Sequence, residues 1–156
     1  MCIGIALSCV SPTAAAQLEA RIAQVIDGDT LDLMTAKARM RVRLADIDAP
    51  ERRQPYGHRS RQSLIAICGG DLARIDTKGR DRYKNMLAVV SCNGTDAGAE
   101  QVRLGMAWVI ERDVPKDSPL HALQAEARAA RRGLWADKEP VPPWEWRGDA
   151  RVSSPR

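Results

Sequence analysis

The sequence predicts a single domain of the α+β class, built from five short strands and about three helices. Its 156 residues are a usual length for one domain. An apolar share of 44% suits a globular core, which must be mainly aliphatic because the chain has four Trp, two Tyr and no Phe. Short strand patterns occupy the first part of the chain, and capped helix patterns lie between and after the later strands.

The first three strands follow one another closely. Ala20–Val25 is a short apolar-rich run, and the Asp27-Gly28 pair after it is a hairpin turn signal. Thr30–Met34 is therefore expected to return as the second strand. The strict alternation of Arg39–Leu44 predicts a third strand that points its apolar side chains inward.

Two strands and a helix are expected in the middle of the chain. The helix runs from about His58 to Cys68, where Gly69-Gly70 stops it. Leu72–Ile75 and Met86–Ser91 are the two further strands.

The last part of the chain carries two helix start signals. Asp96 can cap a short helix that ends at Gly105. Ser118-Pro119 places proline at the first position of a third helix, which Gly133 ends. The Pro- and Trp-rich tail, residues 139–156, is expected to be extended and to pack on the body through Trp144 or Trp146.

The N-terminus has the pattern of a secretory signal peptide over residues 1–16. An apolar, uncharged run (CIGIALSCV) is followed by small residues ending at Ala16. The run is too short to span a bilayer as a helix. We therefore expect a secreted or periplasmic protein, the alternative being a buried N-terminal segment.

Removal of that leader leaves Cys68 and Cys92. Two thiols in an exported chain can pair as a disulfide, and the alternative is two buried free thiols. Neither cysteine has a histidine at metal-ligand spacing, which argues against zinc. A net charge of +4 is a mild indication of polyanionic partners.

Two short acidic runs are the candidate functional residues. They read Asp27-Gly28-Asp29-Thr30 and Asp48-Ala49-Pro50-Glu51, with Arg43 just ahead of the second. Taken singly, each has a structural explanation as turn chemistry, a solvated carboxylate or a surface arginine. Taken together, they offer oxygen ligands without His or Cys, which suit Ca²⁺ or a similar hard ion, and a cation for phosphate.

In order and spacing these runs resemble the staphylococcal nuclease (thermonuclease) family. The resemblance covers roughly residues 20–135 and includes Asp81-Arg82-Tyr83, Val102 to Trp108 and the Gly133-Leu134-Trp135 close. It implies a five-stranded OB-type β-barrel with about three helices packed on it, over residues 17–138.

The resemblance also implies roles for the acidic runs. Asp29 and Asp48 would bind one Ca²⁺ directly, with the main-chain carbonyl of Ala49 as a third ligand and Asp27 acting through water. Glu51 would be the general base that activates the attacking water, and Arg43 would bind the phosphate.

The chain departs from the family pattern after Asp81-Arg82-Tyr83. The family has glycine and then a second phosphate-binding arginine, whereas this chain has Lys84-Asn85. Asn85 carries no charge, so Lys84 or Arg82 is a candidate for contacting nucleic acid in its place.

The resemblance implies a metal-dependent, sugar-nonspecific nuclease acting on single-stranded or denatured DNA and RNA, which we expect to be a monomer. The alternative is a non-catalytic OB-fold module that binds nucleic acid. A pure binding protein gains nothing from acidic groups beside a polyanion, so retention of the carboxylates favours the enzyme.

Overall fold

Five strands close into a barrel of the OB type, as predicted. A computed structural model describes residues 18–36, 38–70 and 72–152. The barrel strands are β1 (Leu18–Val25), β2 (Thr30–Met34), β3 (Arg39–Leu44), β5 (Leu72–Arg80) and β6 (Met86–Cys92). Neighbouring strands pair antiparallel in the order β3-β2-β1-β5-β6, and a parallel pairing of β3 with β6 closes the cylinder.

Alternating side chains fill the barrel. Along β6, Ala88, Val90 and Cys92 are buried while the residues between them are partly exposed. In β1 this alternation breaks at a bulge between Ile22 and Gln24, where two successive residues face solvent. The bulge restores the phase, so that Val25 is again buried just before the β1–β2 turn.

Three two-residue strands lie outside the barrel proper: β4 (Ile47–Asp48), β7 (Thr95–Asp96) and β8 (Trp108–Val109). β7 extends the sheet beyond β6, and β4 pairs antiparallel with β8. The β4–β8 pair places Asp48 directly opposite Trp108.

The described residues contain four α-helices. They are α1 (Gly57–Cys68), α2 (Ala97–Arg103), α3 (Pro119–Ala129) and α4 (Pro143–Val152), with a 3₁₀ turn at Gly133–Ala136. The predicted caps are present: the Asp96 side chain accepts from the Ala99 N–H at 3.0 Å, and the Ser118 side chain accepts from the Leu120 N–H at 3.3 Å. The third helix ends before Gly133, which has a φ of 53° and opens the 3₁₀ turn instead.

The prediction of an extended tail is wrong. Residues 143–152 form α4, with proline at the first helical position, where its missing N–H costs nothing. The tail does contact the body: the Gln54 side-chain amide donates to the Val141 carbonyl at 2.5 Å. Trp144 is exposed and Trp146 half-buried.

A disulfide joins the end of α1 to the end of β6. Cys68 and Cys92 are both buried and their sulfur atoms are bonded, so the structure has the paired alternative rather than two free thiols. The bond holds α1 against the barrel.

The predicted signal peptide, residues 1–16, lies outside the described residues. Among the helices that are described, none combines the length and apolarity needed to cross a bilayer.

Candidate active site

The β1–β2 turn builds the first part of the site. The Asp29 N–H donates to Oδ1 of Asp27 at 3.1 Å, an Asx turn of the kind predicted from the sequence. Gly28 is buried between them, and a Cβ there would lie 1.9 Å from the Ser60 Oγ and 2.7 Å from the Ala49 Cβ. Glycine is therefore required for this turn to pack against α1 and the second acidic run.

The Asp29 carboxylate points inward and joins the two acidic runs. It is 5% exposed and accepts hydrogen bonds from the Thr30 hydroxyl (2.8 Å) and the Ala49 N–H (2.8 Å). Burial raises the pKa of Asp29 to about 7; Arg43 opposes this rise, and the charges of Asp27 and Asp48 add to it. An anion held in such surroundings is stabilised by any further positive charge brought to it.

Asp48 lies on β4 and is the acceptor on which two arginines converge. Its side chain is 5% exposed. Oδ1 accepts from Arg43 Nη2 at 2.6 Å and from Arg147 Nη1 at 3.2 Å, and Oδ2 accepts from Arg147 Nη2 at 2.6 Å. Arg43 Nη2 also lies 3.3 Å from Oδ2 of Asp29, so this guanidinium bridges the two predicted metal ligands.

Glu51 lies in the turn that leads from β4 to α1. Its N–H donates to the Gln54 Oε1 at 3.0 Å, and its carbonyl accepts from the Gln54 N–H at 2.8 Å. The carboxylate is 40% exposed and accepts from Arg147 Nη1 at 2.6 Å. Glu51 is thus an accessible carboxylate that shares Arg147 with the buried Asp48.

These groups border a cleft of about 630 Å³. Four of the residues just described line it: Arg43, Asp48, Glu51 and Arg147. The rest of the lining comes from residues 81–87, 110–113 and 144–148, namely Asp81, Arg82, Tyr83, Leu87, Ile110, Arg112, Asp113, Trp144 and Gly148. The cleft therefore brings Arg43, Asp48, Glu51 and Arg82 of the predicted site together.

Asn85 is placed differently. Its Nδ2 donates to Oδ2 of Asp81 at 2.9 Å and its N–H to Oδ1 of the same carboxylate at 2.9 Å. It lines a neighbouring groove with Asp32 and Arg39. Lys84 is exposed in a left-handed conformation (φ 67°).

Whether the site suits a metal ion can be judged from its donors and charges. In the described part of the chain, no group of three or more His, Cys, Asp or Glu side chains is arranged to hold a metal. Asp29 and Asp48 offer two carboxylates joined through Arg43, and hard oxygen donors of this type suit Ca²⁺. Asp29, Asp48 and Glu51 accept hydrogen bonds from two arginines, and Asp27 adds a fourth carboxyl group beside Asp29. A divalent ion would add positive charge to this largely acidic cluster.

Gln101 and Arg147, two residues that hydrogen-bond to the residues of the site, were not predicted from the sequence. Gln101 on α2 is fully buried, and its Nε2 donates to the Gly28 carbonyl at 2.7 Å and to the Ser60 carbonyl at 3.0 Å. A signal existed, because Gln101 falls at helical spacing with the buried Ala97 and beside the buried Val102. Arg147 had no such signal, because its position depends on how α4 docks.

Fold and site together define the class: an OB-type barrel that carries a cluster of carboxylates and arginines suited to phosphate chemistry. Comparison with known proteins agrees. The model of the family described as "Staphylococcal nuclease homologue" matches residues 41–137, and the chain belongs to the staphylococcal nuclease family.

Curated relatives cover most of the chain. An uncharacterized endonuclease of Escherichia coli O157:H7 is 41% identical over 137 residues, which is 87% of this chain and 89% of that protein. A micrococcal nuclease of Shigella flexneri is 36% identical over 148 residues (88% and 85%). Protein ParB of Escherichia coli is 37% identical over 156 residues (94% and 88%).

Proposed function

We propose that this protein is an exported nuclease that hydrolyses phosphodiester bonds of DNA and RNA with the help of one Ca²⁺ ion. The observation that carries the proposal is the convergence of Arg43 on the buried carboxylates of Asp29 and Asp48, with Glu51 at the edge of the same cleft. Family membership and the names of the relatives support the nuclease activity.

The residues divide the work as follows. Asp29 and Asp48, with the Ala49 carbonyl, would hold the ion, and Asp27 would act through water. When bound there, Ca²⁺ would supply positive charge to the phosphate oxygens and would polarise the phosphorus centre. Arg43 binds a phosphate oxygen, and the Glu51 carboxylate takes a proton from the water that attacks phosphorus. As the new P–O bond forms, one P–O bond to a sugar oxygen breaks, and that oxygen leaves as an alkoxide that takes up a proton.

The disulfide supports export. Disulfides persist in oxidising compartments and are rare in the cytosol, so the Cys68–Cys92 bond is consistent with a secreted or periplasmic location. The apolar run at residues 2–10 supports it independently. Single-stranded or denatured nucleic acid remains the expected substrate, and a monomer the expected state.

The first experiment measures the release of acid-soluble nucleotide from denatured DNA and from RNA, in millimolar Ca²⁺ and in chelator. Cleavage should require Ca²⁺, and Glu51→Gln should slow it by about 10²–10⁴-fold, the usual contribution of a general base. Glu19→Gln, the same change at an exposed position on β1, should leave the rate unaltered.

Two results would oppose the proposal. Undiminished cleavage by Glu51→Gln would remove Glu51 from the role of base. No cleavage by folded wild-type protein, combined with tight binding of single strands, would favour the non-catalytic module.

A further inference from the structure

Arg147 enters the catalytic cleft from a part of the chain that the family model does not match. The model ends at residue 137, whereas α4 begins at Pro143. From α4 the guanidinium contacts both Asp48 oxygens (3.2 and 2.6 Å) and the Glu51 carboxylate (2.6 Å). Its side chain is 30% exposed, and it lines the cleft.

The position that carries the family's second phosphate-binding arginine does not supply a cation to this cleft. Asn85 stands there, and its amide is engaged with Asp81. The other arginines that line the cleft lie at its rim: Arg82 stacks over the exposed Tyr83 ring at 4.9 Å, and Arg112 is 84% exposed beside Asp113.

We propose that Arg147 is the second phosphate-binding residue of this nuclease, in the role that Asn85 cannot perform. The inference rests on the proposed function. Arg43 and Arg147 both donate to Oδ1 of Asp48, so their guanidinium groups are close enough for one phosphate to accept from both. Two arginines that already share an acidic oxygen can share a phosphate in the same cleft.

Metal binding at Asp48 would not exclude Arg147 from the cleft. A cation held by Asp48 would displace Arg147 from the Asp48 oxygens and free some of its N–H groups. A guanidinium has five N–H donors in a planar fork, so Arg147 can keep its contact with Glu51 while it donates to an incoming phosphate. An arginine guanidinium is always charged at neutral pH, so Arg147 presents a cation to the cleft while it donates to Asp48 and Glu51.

The placement of Arg147 relative to Glu51 is built into the fold. Gln54 is buried and holds both partners: its Oε1 accepts from the Glu51 N–H (3.0 Å), and its Nε2 donates to the Val141 carbonyl (2.5 Å) just before α4. One side chain thus ties the turn that carries the base to the helix that carries the second arginine.

An alternative is that α4 acts as an inhibitory plug, a helix that blocks the cleft through the same contacts. In that case Arg147→Ala would speed cleavage, whereas loss of a phosphate-binding arginine slows it. We expect Arg147→Ala to lower kcat/KM on denatured DNA by at least about 10²-fold, as loss of a preorganised phosphate donor does. Arg147→Lys should retain part of the activity, since it keeps a positive charge. Arg74→Ala, the same loss of charge on the exposed face of β5, should have no effect.

Binding provides a readout that does not depend on cleavage. Fluorescence anisotropy with a phosphorothioate-linked oligothymidylate, which resists hydrolysis, gives affinity in Ca²⁺ as a function of salt. Loss of one phosphate contact should weaken binding and reduce the slope of log K against log salt by about 0.7 in Arg147→Ala. Arg74→Ala should keep the wild-type slope.

The outcomes separate this inference from the proposed function. If the wild type cleaves and Arg147→Ala keeps full activity and the wild-type salt slope, the inference is refuted and the proposed nuclease activity is retained. Faster cleavage by Arg147→Ala would show that α4 is a plug, and would also overturn it. If the wild type binds without cleaving, a lower slope in Arg147→Ala still supports Arg147 as a phosphate ligand, and an unchanged slope refutes it. If the wild type neither cleaves nor binds nucleic acid, both proposals are refuted.

Discussion

Reduction of the Cys68–Cys92 disulfide should destabilise the protein by an amount that the loop length sets. The bond closes a loop with a sequence separation of 24 residues that contains β5 and β6. In the chain-entropy model, closing a loop of that length removes enough freedom from the unfolded chain to stabilise the fold by about 3.5 kcal/mol.

Urea unfolding followed by tryptophan fluorescence measures this loss. With a denaturant dependence of about 1–3 kcal/mol per molar for a small domain, a loss of about 3.5 kcal/mol should lower the midpoint by about 1.2–3.5 M after reduction. The double variant Cys68→Ala/Cys92→Ala should unfold at a similarly low midpoint, and reductant should no longer change it. In the full-length chain, that variant also controls for Cys2 and Cys9, because both remain in it.

The reasoning would be refuted if oxidised and reduced wild type had the same midpoint, or if reductant shifted the double variant as much as the wild type. Because α1 also carries Ser60, whose hydroxyl donates to the Met106 carbonyl at 2.7 Å and whose carbonyl accepts from Gln101, reduction should loosen the support of the active-site turn as well.

Three further changes test the supports of the site and the surface of the barrel. Gly28→Ala should cost about 1–3 kcal/mol in urea unfolding and slow cleavage, because its Cβ meets Ser60 and Ala49; Gly148→Ala, which meets nothing within 4 Å, should not destabilise, and equal effects would contradict this account. Gln101→Leu should cost about 1–3 kcal/mol because it leaves the buried Gly28 carbonyl without this donor; an unaltered urea midpoint would show that the hydrogen bond adds nothing. Hydrogen bonds from Arg41 and Arg39 lower the pKa of Asp32 below its ordinary 3.8, so the stability it adds is complete above about pH 4 and is lost as the pH falls through its folded value. Asp32→Asn should therefore cost about 1 kcal/mol at pH 6 and less at pH 3, and a difference that widened in acid would reverse the sign of the argument.

Local pattern was enough to predict most of the barrel's strands, whereas their closure into an OB-type barrel was predicted from the family resemblance. The second and third strands have the predicted bounds, because alternation is expressed residue by residue along a strand. The fourth predicted strand, Leu72–Ile75, extends in the structure to Arg80, since pairing with β6 carries polar residues into the ladder. The tail was predicted to be extended, and its helix was missed. The Pro142-Pro143 pair is equally compatible with an extended segment and with the start of a helix.

The acidic runs and Arg43 were also predictable, because each lies within a short segment whose composition is visible in the chain. Arg43 and Asp48 are five residues apart, and the short turn between their strands keeps the two side chains close together. Gln101 needed more than local reading: it acts across 73 residues, on a turn that is formed by other strands.

By itself, the sequence determined the strands, the helix caps and the chemical character of the site, since these depend on neighbours a few residues apart. Only the tertiary structure decided which charges meet in the cleft. Arg147 lies 99 residues from Asp48, and their contact exists because the barrel, the Gln54 turn and α4 pack together. Contacts at such separations depend on the summed packing of all the intervening elements, and no local pattern in the chain carries that sum.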